Sequence, residues 1–466
     1  MKEVRADSSA AYNLLHQGIL ALAKAERQGM RIDMEYCNAK TEELTEMISN
    51  IEEEFMASDF FKTWKKYLGK TPNIHSNPQL SDYLYGSKQY KAAKLTTSGK
   101  GSTDVNALDG LGIPALQLLV RARKLKKIRD TYLGAFMREQ VAGVLHPSFN
   151  LHTVRTFRSS SNNPNFQNIP KRDKEAMQIC RKAIYPRHGH QLFEVDFGAL
   201  EVRIAACYHQ DPTMMKYIKE NHDMHGDMAK QIFKIKGFDK SKKEHSVLRA
   251  AAKNGFVFPQ FYGDYYKNCA TNLLEGWGDL SLSRKWKKTD GIAVDGEYKL
   301  AEHLIETGLG NLELFTKHLQ RIENHFWNTR FPVYRDWKEK WWRQYQENGF
   351  VDMFTGFRCK GIMSRNDAIN YPVQGAAFHC LLWCLIRITE IFERDRMQSL
   401  VIGQIHDAVV LDVYPPELNE VARIVKQVTT VDLPRAWKWI NVPLTVEAEL
   451  AGVDESYADM KEFILP

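Results

Sequence analysis

Two acids and two cations in this chain are spaced as phosphate chemistry would require. Residues 249–263, RAAAKNGFVFPQFYG, set Arg249 and Lys253 four apart and follow them with Phe256, Phe258, Phe261, Tyr262 and Gly263. Residues four apart share a helix face, so both cations can address one ligand. The rings behind them suit a base attached to a polyphosphate. By itself the segment fits an amphipathic helix with a solvated cationic face equally well. Asp196 ends a strand-like run, QLFEVD, and Asp407 joins two more in LVIGQIHDAVVLDV. One such acid reads as a turn or cap residue. Two, with a phosphate-grasping helix between them in sequence, read as metal ligands. Hard Mg2+ binds through few carboxylates plus substrate phosphates, and two carboxylates bridging two ions form the clamp for in-line phosphoryl transfer.

Those groups need a frame, and residue patterning supplies one. Residues 10–27 have helical apolar spacing, Gly29 stops the helix, and Asp33 is placed to cap the next. Residues 69–106, rich in Ser, Thr, Gly, Pro and Asn with scattered Lys, read as short elements and loops facing a phosphate backbone or plain solvent. Residues 116–136 form a helix carrying Arg121, Arg123, Lys124, Lys126, Lys127 and Arg129, which faces an anion or water. Residues 191–195 are a strand, 200–208 a helix, 211–263 mostly helix, and 264–320 an elaborated connection. Helices return at 311–348 and 367–394, the latter long and apolar. Strands at 399–405 and 409–413 meet at His406-Asp407, then come a helix at 417–428 and an alternating strand at 443–450.

The totals set outer bounds. With 466 residues, 44% hydrophobic, the chain supports two to four domains or subdomains. Lys and Arg outnumber Asp and Glu by 64 to 57, and this net +7 permits a nucleic-acid partner without requiring one. Seven cysteines form no CxxC pair and read as reduced thiols, with Cys380 and Cys384 packed in an apolar helix. No apolar run reaches about eighteen residues and no signal-peptide pattern opens the chain, so a cytoplasmic protein without membrane contact is expected.

At this point the motifs resemble, in order, those of family A DNA polymerases. DFGALEVR (196–203) resembles the first palm motif, RAAAKNGFVFPQFYG the fingers motif, and QIHDA (404–408) the second palm motif. RSSSNNPNFQNIP (158–170) is similar to the segment before the palm, DMHGDMA (223–229) to the entry of a fingers helix, and NYPVQGAAF (370–378) to a helix that contacts primer–template. NPQLSDYLY, in the basic N-terminal part, resembles a thumb more weakly. The resemblance implies an α+β right-hand fold: thumb and palm-supporting helices at 1–150, first part of an antiparallel palm at 151–210, fingers at 211–345 with an insertion at 264–320, and the rest of the palm at 346–466. It implies template-directed addition of dNTPs to a primer 3′-OH with two Mg2+ ions, Mn2+ being a substitute. Asp196, Asp407 and the carbonyl of Phe197 would hold the metals. Arg249 and Lys253 would grip the triphosphate, and Lys253 would protonate the leaving pyrophosphate. His225 would lie near the phosphates, Tyr262 and Phe258 at the base, and Glu201 where a ribose 2′-OH would project. Arg158, Asn370, Gln374 and His406 would contact primer–template, and Arg203 would pair with a palm carboxylate. The implied partners are primer–template DNA, dNTPs and a replisome or processivity factor, for a monomer from a prokaryote, phage or other mobile element.

The chain departs from that pattern in four places. Ala408 follows Asp407 where the family commonly has a second acid, and Asp412 is too far along the strand to replace it. Gly198-Ala199 stands where Ser-Gln is frequent, which reads as a neutral packing choice. Lys253 and Phe258 are five apart instead of four. In a straight helix Phe258 would face away from Arg249, so a π-bulge or kink at 255–259 is expected; the rival register presents Val257 and Phe261. The insertion, with Trp277, Trp286 and the basic run 284–288, contacts DNA or a partner, or is a folded surface addition. No room remains for a proofreading exonuclease, and Asp33 with Glu35 reads as helix capping. An RNA polymerase, a reverse transcriptase and a non-enzymatic primer–template scaffold are the alternatives. Nucleotide choice, template choice and metal-dependent extension respectively separate them.

Overall fold

The computed structural model describes residues 4–87, 90–92, 95–171, 173–275, 280, 282–283 and 285–466. Its centre is a five-stranded antiparallel sheet. The strands are β1 (Gln191–Phe197), β2 (Leu400–Ile405), β3 (Ala408–Val413), β4 (Val446–Leu450) and β5 (Lys461–Phe463), in the order β2–β3–β1–β4–β5. Aliphatic and β-branched residues fill the middle strands, as a sheet covered on both faces requires. Register is fixed along β1: Ala408 lies opposite Asp196 and Val413 opposite Gln191, while β4 sets Val446 opposite Phe197. Between β2 and β3 only His406 and Asp407 form the turn. His406 takes φ +50, the left-handed conformation that such two-residue turns demand.

Helix α1 (Ser8–Gln28) begins at Asp7, whose carboxylate accepts from the amides of Ser9 and Ala10, and ends at Gly29 with φ +63. Ala11, Leu14, Gly18, Ala21, Leu22 and Ala25, on one helical stripe, pack on β2 and on the long helix described below. Helix α2 (Met34–Ala57) is capped by Asp33, which accepts from Tyr36 N at 2.9 Å. From Phe55 outward a second, smaller core forms around Trp64, Tyr83, Leu84 and Leu116. Helix α3 (Pro114–Lys126) packs along α2.

The basic run on α3 is largely used inside the protein. Arg121 makes a two-pronged ion pair with Glu175 (one arm 2.6 Å), and Lys124 reaches Asp173 at 2.7 Å and Glu175 at 3.0 Å. Arg123 donates to Thr103 O at 3.1 Å, and just beyond α3 Arg129 pairs with Asp130. Asp173 and Glu175 belong to the start of α4 (Lys174–Lys182), which Asp173 caps. This face therefore ties the N-terminal helices to the segment that leads into β1, a role its charge alone did not indicate.

After β1 come α5 (Leu200–His209), α6 (Met224–Ile232), α7 (Lys243–Ala252), α8 (Phe258–Tyr262), α9 (Tyr266–Glu275) and α10 (Leu312–His325). Helix α9 packs on α10, so the expected connection 264–320 is regular at both ends. Its middle holds a hairpin (Ala293–Asp295 with Tyr298–Lys299) and a short helix, Leu300–Glu306. Trp286 stacks edge-on against Phe315 at 6.2 Å, a packing role; Trp277 and Arg284 lie outside the described residues.

Helix α11 (Arg365–Arg394) starts with a capping box between Ser364 and Asp367 and carries Pro372 inside it. It is long and apolar enough to cross a membrane, unlike the expectation from unbroken apolar runs. However, 78% of its most apolar window is buried within the protein, as in a core helix. All seven cysteines are buried and none forms a disulfide bond.

The Arg121–Glu175 tie gives a pH-dependent stability. Hydrogen bonding from Arg121, then from Lys124, holds the Glu175 carboxyl at about 2, below its usual 4.5. A depressed acid stabilises fully above its unfolded value and loses that contribution as pH falls through its folded value. Glu175→Gln is expected to lower the unfolding free energy by about 1 kcal/mol at neutral pH. Urea titrations of the two proteins should converge as pH falls from 4.5 towards 2.

Candidate active site

The sheet register brings the two acids to one end. Asp196 is the last residue but one of β1, Asp407 sits in the turn before β3, and the Phe197 amide donates to Asp407 O at 3.2 Å, locking the backbone of the expected third ligand beside the turn. Gln404, 2% exposed, braces that turn from behind. Its amide nitrogen donates to His406 O, while its carbonyl accepts from Ser159 Oγ at 2.7 Å and Gln167 Nε2 at 2.6 Å. Burial raises the Asp407 carboxyl to about 6; Arg158 opposes this, and the charges of Glu201 and Asp196 add to it. Asp196 is raised too, chiefly by burial. Two crowded carboxylates offering only oxygen donors fit a hard divalent cation, which would relieve their repulsion. Among the described residues no cluster of three or more His, Cys, Asp or Glu has metal-holding geometry.

Behind Asp196 the chain turns sharply into α5. Ala199 has φ +52, uncommon for a residue with a Cβ. Arg203 holds this bend: it donates to Gly198 O at 2.7 Å, Pro443 O at 2.5 Å and Thr445 Oγ1 at 2.9 Å. Arg203 is thus structural, as expected, but its partners are two carbonyls and a hydroxyl where a palm carboxylate was expected. Gly198 is not a neutral choice either, because a Cβ there would lie 2.6 Å from Thr445 Oγ1. The bend delivers Glu201, whose two oxygens are both engaged: Arg158 Nη1 donates at 3.0 Å and Tyr262 OH donates to the other. Asn370 Nδ2 donates to Tyr262 O at 3.3 Å. Gln374, four residues on, is half-buried on the same face of α11.

The extra residue in 249–263 is taken up by a π-helical turn over Lys253–Val257, closed by a bond from Phe258 N–H to Lys253 O. Pro259, having no N–H, leaves no donor stranded at the bulge. Val257 and Phe256 are fully buried and Phe261 nearly so. Phe258 instead lies half-exposed beneath Lys253, whose Nζ is 5.2 Å from the ring centroid, and edge-on to His225 at 5.7 Å. Phe258 also meets Tyr262 at 6.5 Å, and Tyr262 is 40% exposed. An open cavity of about 710 Å³ is lined by Asn254, Phe258, Tyr262, Tyr265 and Asn366, among others.

Arg249 donates from Nε to both oxygens of Asp223, at 2.9 and 2.8 Å. Asp223 also caps α6, so His225 lies in the first turn, where backbone amides favour an anion. Burial, then Lys253 and Arg249, push His225 down to about 4, and its Nδ1 is buried without a hydrogen-bond partner. Asp223, Gln404 and Lys171 (3.5 Å from Asp196 Oδ2) are site residues that sequence reasoning missed. Asp223 stood within a quoted motif, but its bond to Arg249 spans 26 positions and leaves no local signal. Asp412 is buried at the far end of β3 against Arg187 and His190, away from the acid pair, as expected.

The chain is similar to the thermostable DNA polymerase I of Thermus aquaticus, 26% identical over 458 residues, covering 95% of this chain and 47% of that protein. It is likewise similar to DNA polymerase I of Rhizobium leguminosarum, 26% identical over 469 residues, covering 95% and 40%. The chain thus spans about half the length, or less, of these curated relatives. The POL domain of Pol1 from M. smegmatis, in a complex with DNA primer-template and dNTP, superposes with a TM-score of 0.73 at 21% identity, over 96% of this chain and 70% of that one. The fold is therefore the right-hand arrangement of thumb, palm and fingers, with β1–β5 as the antiparallel palm. The sequence model described as DNA polymerase family A matches residues 34–275 and 310–456 and leaves 276–309 between them unmatched. From these matches, the chain belongs to DNA polymerase family A.

Proposed function

We propose that this chain is a template-directed DNA polymerase that adds dNTPs to a primer 3′-OH by two-metal chemistry. One observation carries the reading: a run of contacts leads from Arg158, whose charge bears on Asp407, to the cationic cluster. Arg158, whose charge acts on Asp407, bonds Glu201; Glu201 bonds Tyr262; Tyr262 meets Phe258; Phe258 underlies Lys253 and touches His225. Such a run positions a triphosphate, a sugar, a base and a primer terminus at once, and phosphoryl transfer depends mostly on positioning and electrostatics.

Asp196, Asp407 and the Phe197 carbonyl are the proposed metal holders. When bound, two Mg2+ ions, or Mn2+, supply charge neutralisation at the attacking and leaving oxygens. Lys253 and Arg249 neutralise the triphosphate, and His225 Nδ1, otherwise unpartnered, is placed to bond a phosphate oxygen. Lys253 is the proposed proton donor to pyrophosphate. Phe258 and Tyr262 flank the base, and Glu201 occupies the space of a 2′-OH, favouring deoxynucleotides. Arg158, Asn370, Gln374 and His406 are the proposed primer–template contacts. The proposed partition is thumb and palm-supporting helices at 1–150, palm at 151–210 and 346–466, and fingers at 211–345. The packing of α1 on the palm and the separate core around Trp64 support it. Proofreading is not assigned to these 466 residues, since the Asp33–Glu35 pair belongs to a helix that Asp33 caps. A monomer acting on DNA, with a replisome or processivity factor, in a prokaryotic cytoplasm is the proposed setting, supported by the bacterial relatives.

Primer extension with Mg2+ tests the reading. Wild-type protein is expected to extend a DNA primer with dNTPs in preference to rNTPs. Asp196→Asn or Asp407→Asn should reduce the rate by about 100- to 1,000-fold, since metal electrostatics supply several kcal/mol. Full turnover by Asp407→Asn, or equal use of rNTPs, would overturn it. The fingers register gives a paired prediction. Phe258→Ala should raise KM for dNTP about tenfold with little change in thermal midpoint. Val257→Ala should instead destabilise the fold by about 2 kcal/mol through its cavity. The reverse pattern in KM and calorimetry would support the other register.

A further inference from the structure

Asp196 has unequal neighbours across the sheet. On β3 it faces Ala408, which offers no charge, and on β4 it faces Glu447, which is exposed. On its own strand, two residues back and on the same face, lies Glu194, which is 2% exposed. The ammonium of Lys171 reaches both acids of that strand: it is 3.1 Å from Glu194 Oε1 and 3.5 Å from Asp196 Oδ2. Its side chain is half-exposed, whereas Glu194 is anchored below by Tyr457 OH and by Arg181 Nη1 at 3.9 Å.

Lys171 is held in place from both directions. Upstream, the short helix Phe166–Asn168 is tied to the palm by Gln167 on Gln404. Downstream, Asp173 and Glu175 are bound by Lys124 and Arg121. The lysine therefore stands at the metal-facing carboxylate by construction of the segment. Its bond to buried Glu194 is the shorter of the two, so its ammonium keeps a partner when Asp196 is claimed by another cation.

We propose that Lys171 is a built-in counter-cation of Asp196: it holds that carboxylate in place before a metal arrives, competes with the metal for it, and withdraws onto Glu194 when the metal binds. This rests on the reading of Asp196 and Asp407 as metal holders, and it makes Lys171 a positioning residue that sets how much metal the protein needs. With Ala408 supplying no acid on the neighbouring strand, this opposing charge has a larger share of the local field.

The test is Mn2+ binding, followed by the electron paramagnetic resonance signal of free Mn2+. The full chain is titrated in complex with a dideoxy-terminated primer–template, so that no turnover occurs. Lys171→Met and Lys171→Gln are expected to bind Mn2+ about two- to fivefold more tightly than wild type, the range that half-exposed ion pairs support. Lys171→Arg should stay near wild type, and Asp407→Asn should lose the site. Unchanged or weaker binding in both neutral Lys171 variants, with Asp407→Asn still losing the site, would overturn the role of Lys171 alone. Binding unaffected by Asp407→Asn would overturn the metal-site reading and the inference with it.

Discussion

Everything at the candidate site depends on the pairing of β1 with β3. Ala408 opposite Asp196 is what brings Asp407 beside Asp196, because the two-residue turn leaves Asp407 no other place. A slip of one residue would send every side chain of a strand to the opposite face. Here that would turn Asp196 to the opposite face, away from Asp407, and exchange the apolar residues packed on the two sides of the sheet. The slip is opposed from three sides. Leu192, Phe193 and Val195 are buried along β1, Asp412 is bound to Arg187 and His190 at one end, and the Phe197–Asp407 bond closes the other. Stability of the palm and position of the acids are thus one property.

The acids pay for this placement in electrostatics, and the neighbouring groups respond to it. Burial raises both carboxyls, and the cations around them, Arg158 and Lys171, act in the opposite direction. Arg158 is also the first link to the fingers, since it shares Glu201 with Tyr262. The fingers aromatics and the acid pair are therefore linked through one carboxylate. On the fingers side the π-helical turn matters in the same way: it rotates Phe258 under Lys253 and sends Val257 into the core. Bulges of this kind often mark functional sites, and Pro259 makes this one compatible with the hydrogen-bond pattern.

Much of this was legible in the residues, for local physical reasons. Alternating and continuous apolar runs marked the strands that end in Asp196 and surround Asp407. Gly29 and Asp33 marked a helix boundary through stop and cap chemistry. Counting along 249–263 exposed the extra residue and called for the bulge. What was not legible was set by partners distant in sequence. Arg121 read as facing an anion or water, whereas Glu175, 54 positions away, holds it. Arg203 was expected to meet a carboxylate and instead meets the backbone of a segment 240 positions on. Gly198 looked interchangeable with any small residue because nothing local reveals Thr445 above it. Nothing in the residues of 264–320 showed that its two ends are ordinary helices packed on each other, with the unmatched stretch 276–309 between them.

In the proposed site Asp196 and Asp407 jointly hold two divalent ions against a primer terminus and a triphosphate. The most direct measurement is anomalous X-ray scattering from Mn2+ in crystals of the chain with a dideoxy-terminated primer–template and the matching dNTP. Two anomalous peaks are expected, both within ligand distance of Asp196 and Asp407. A single peak, or peaks that do not touch Asp407, would contradict a two-ion site shared by these aspartates.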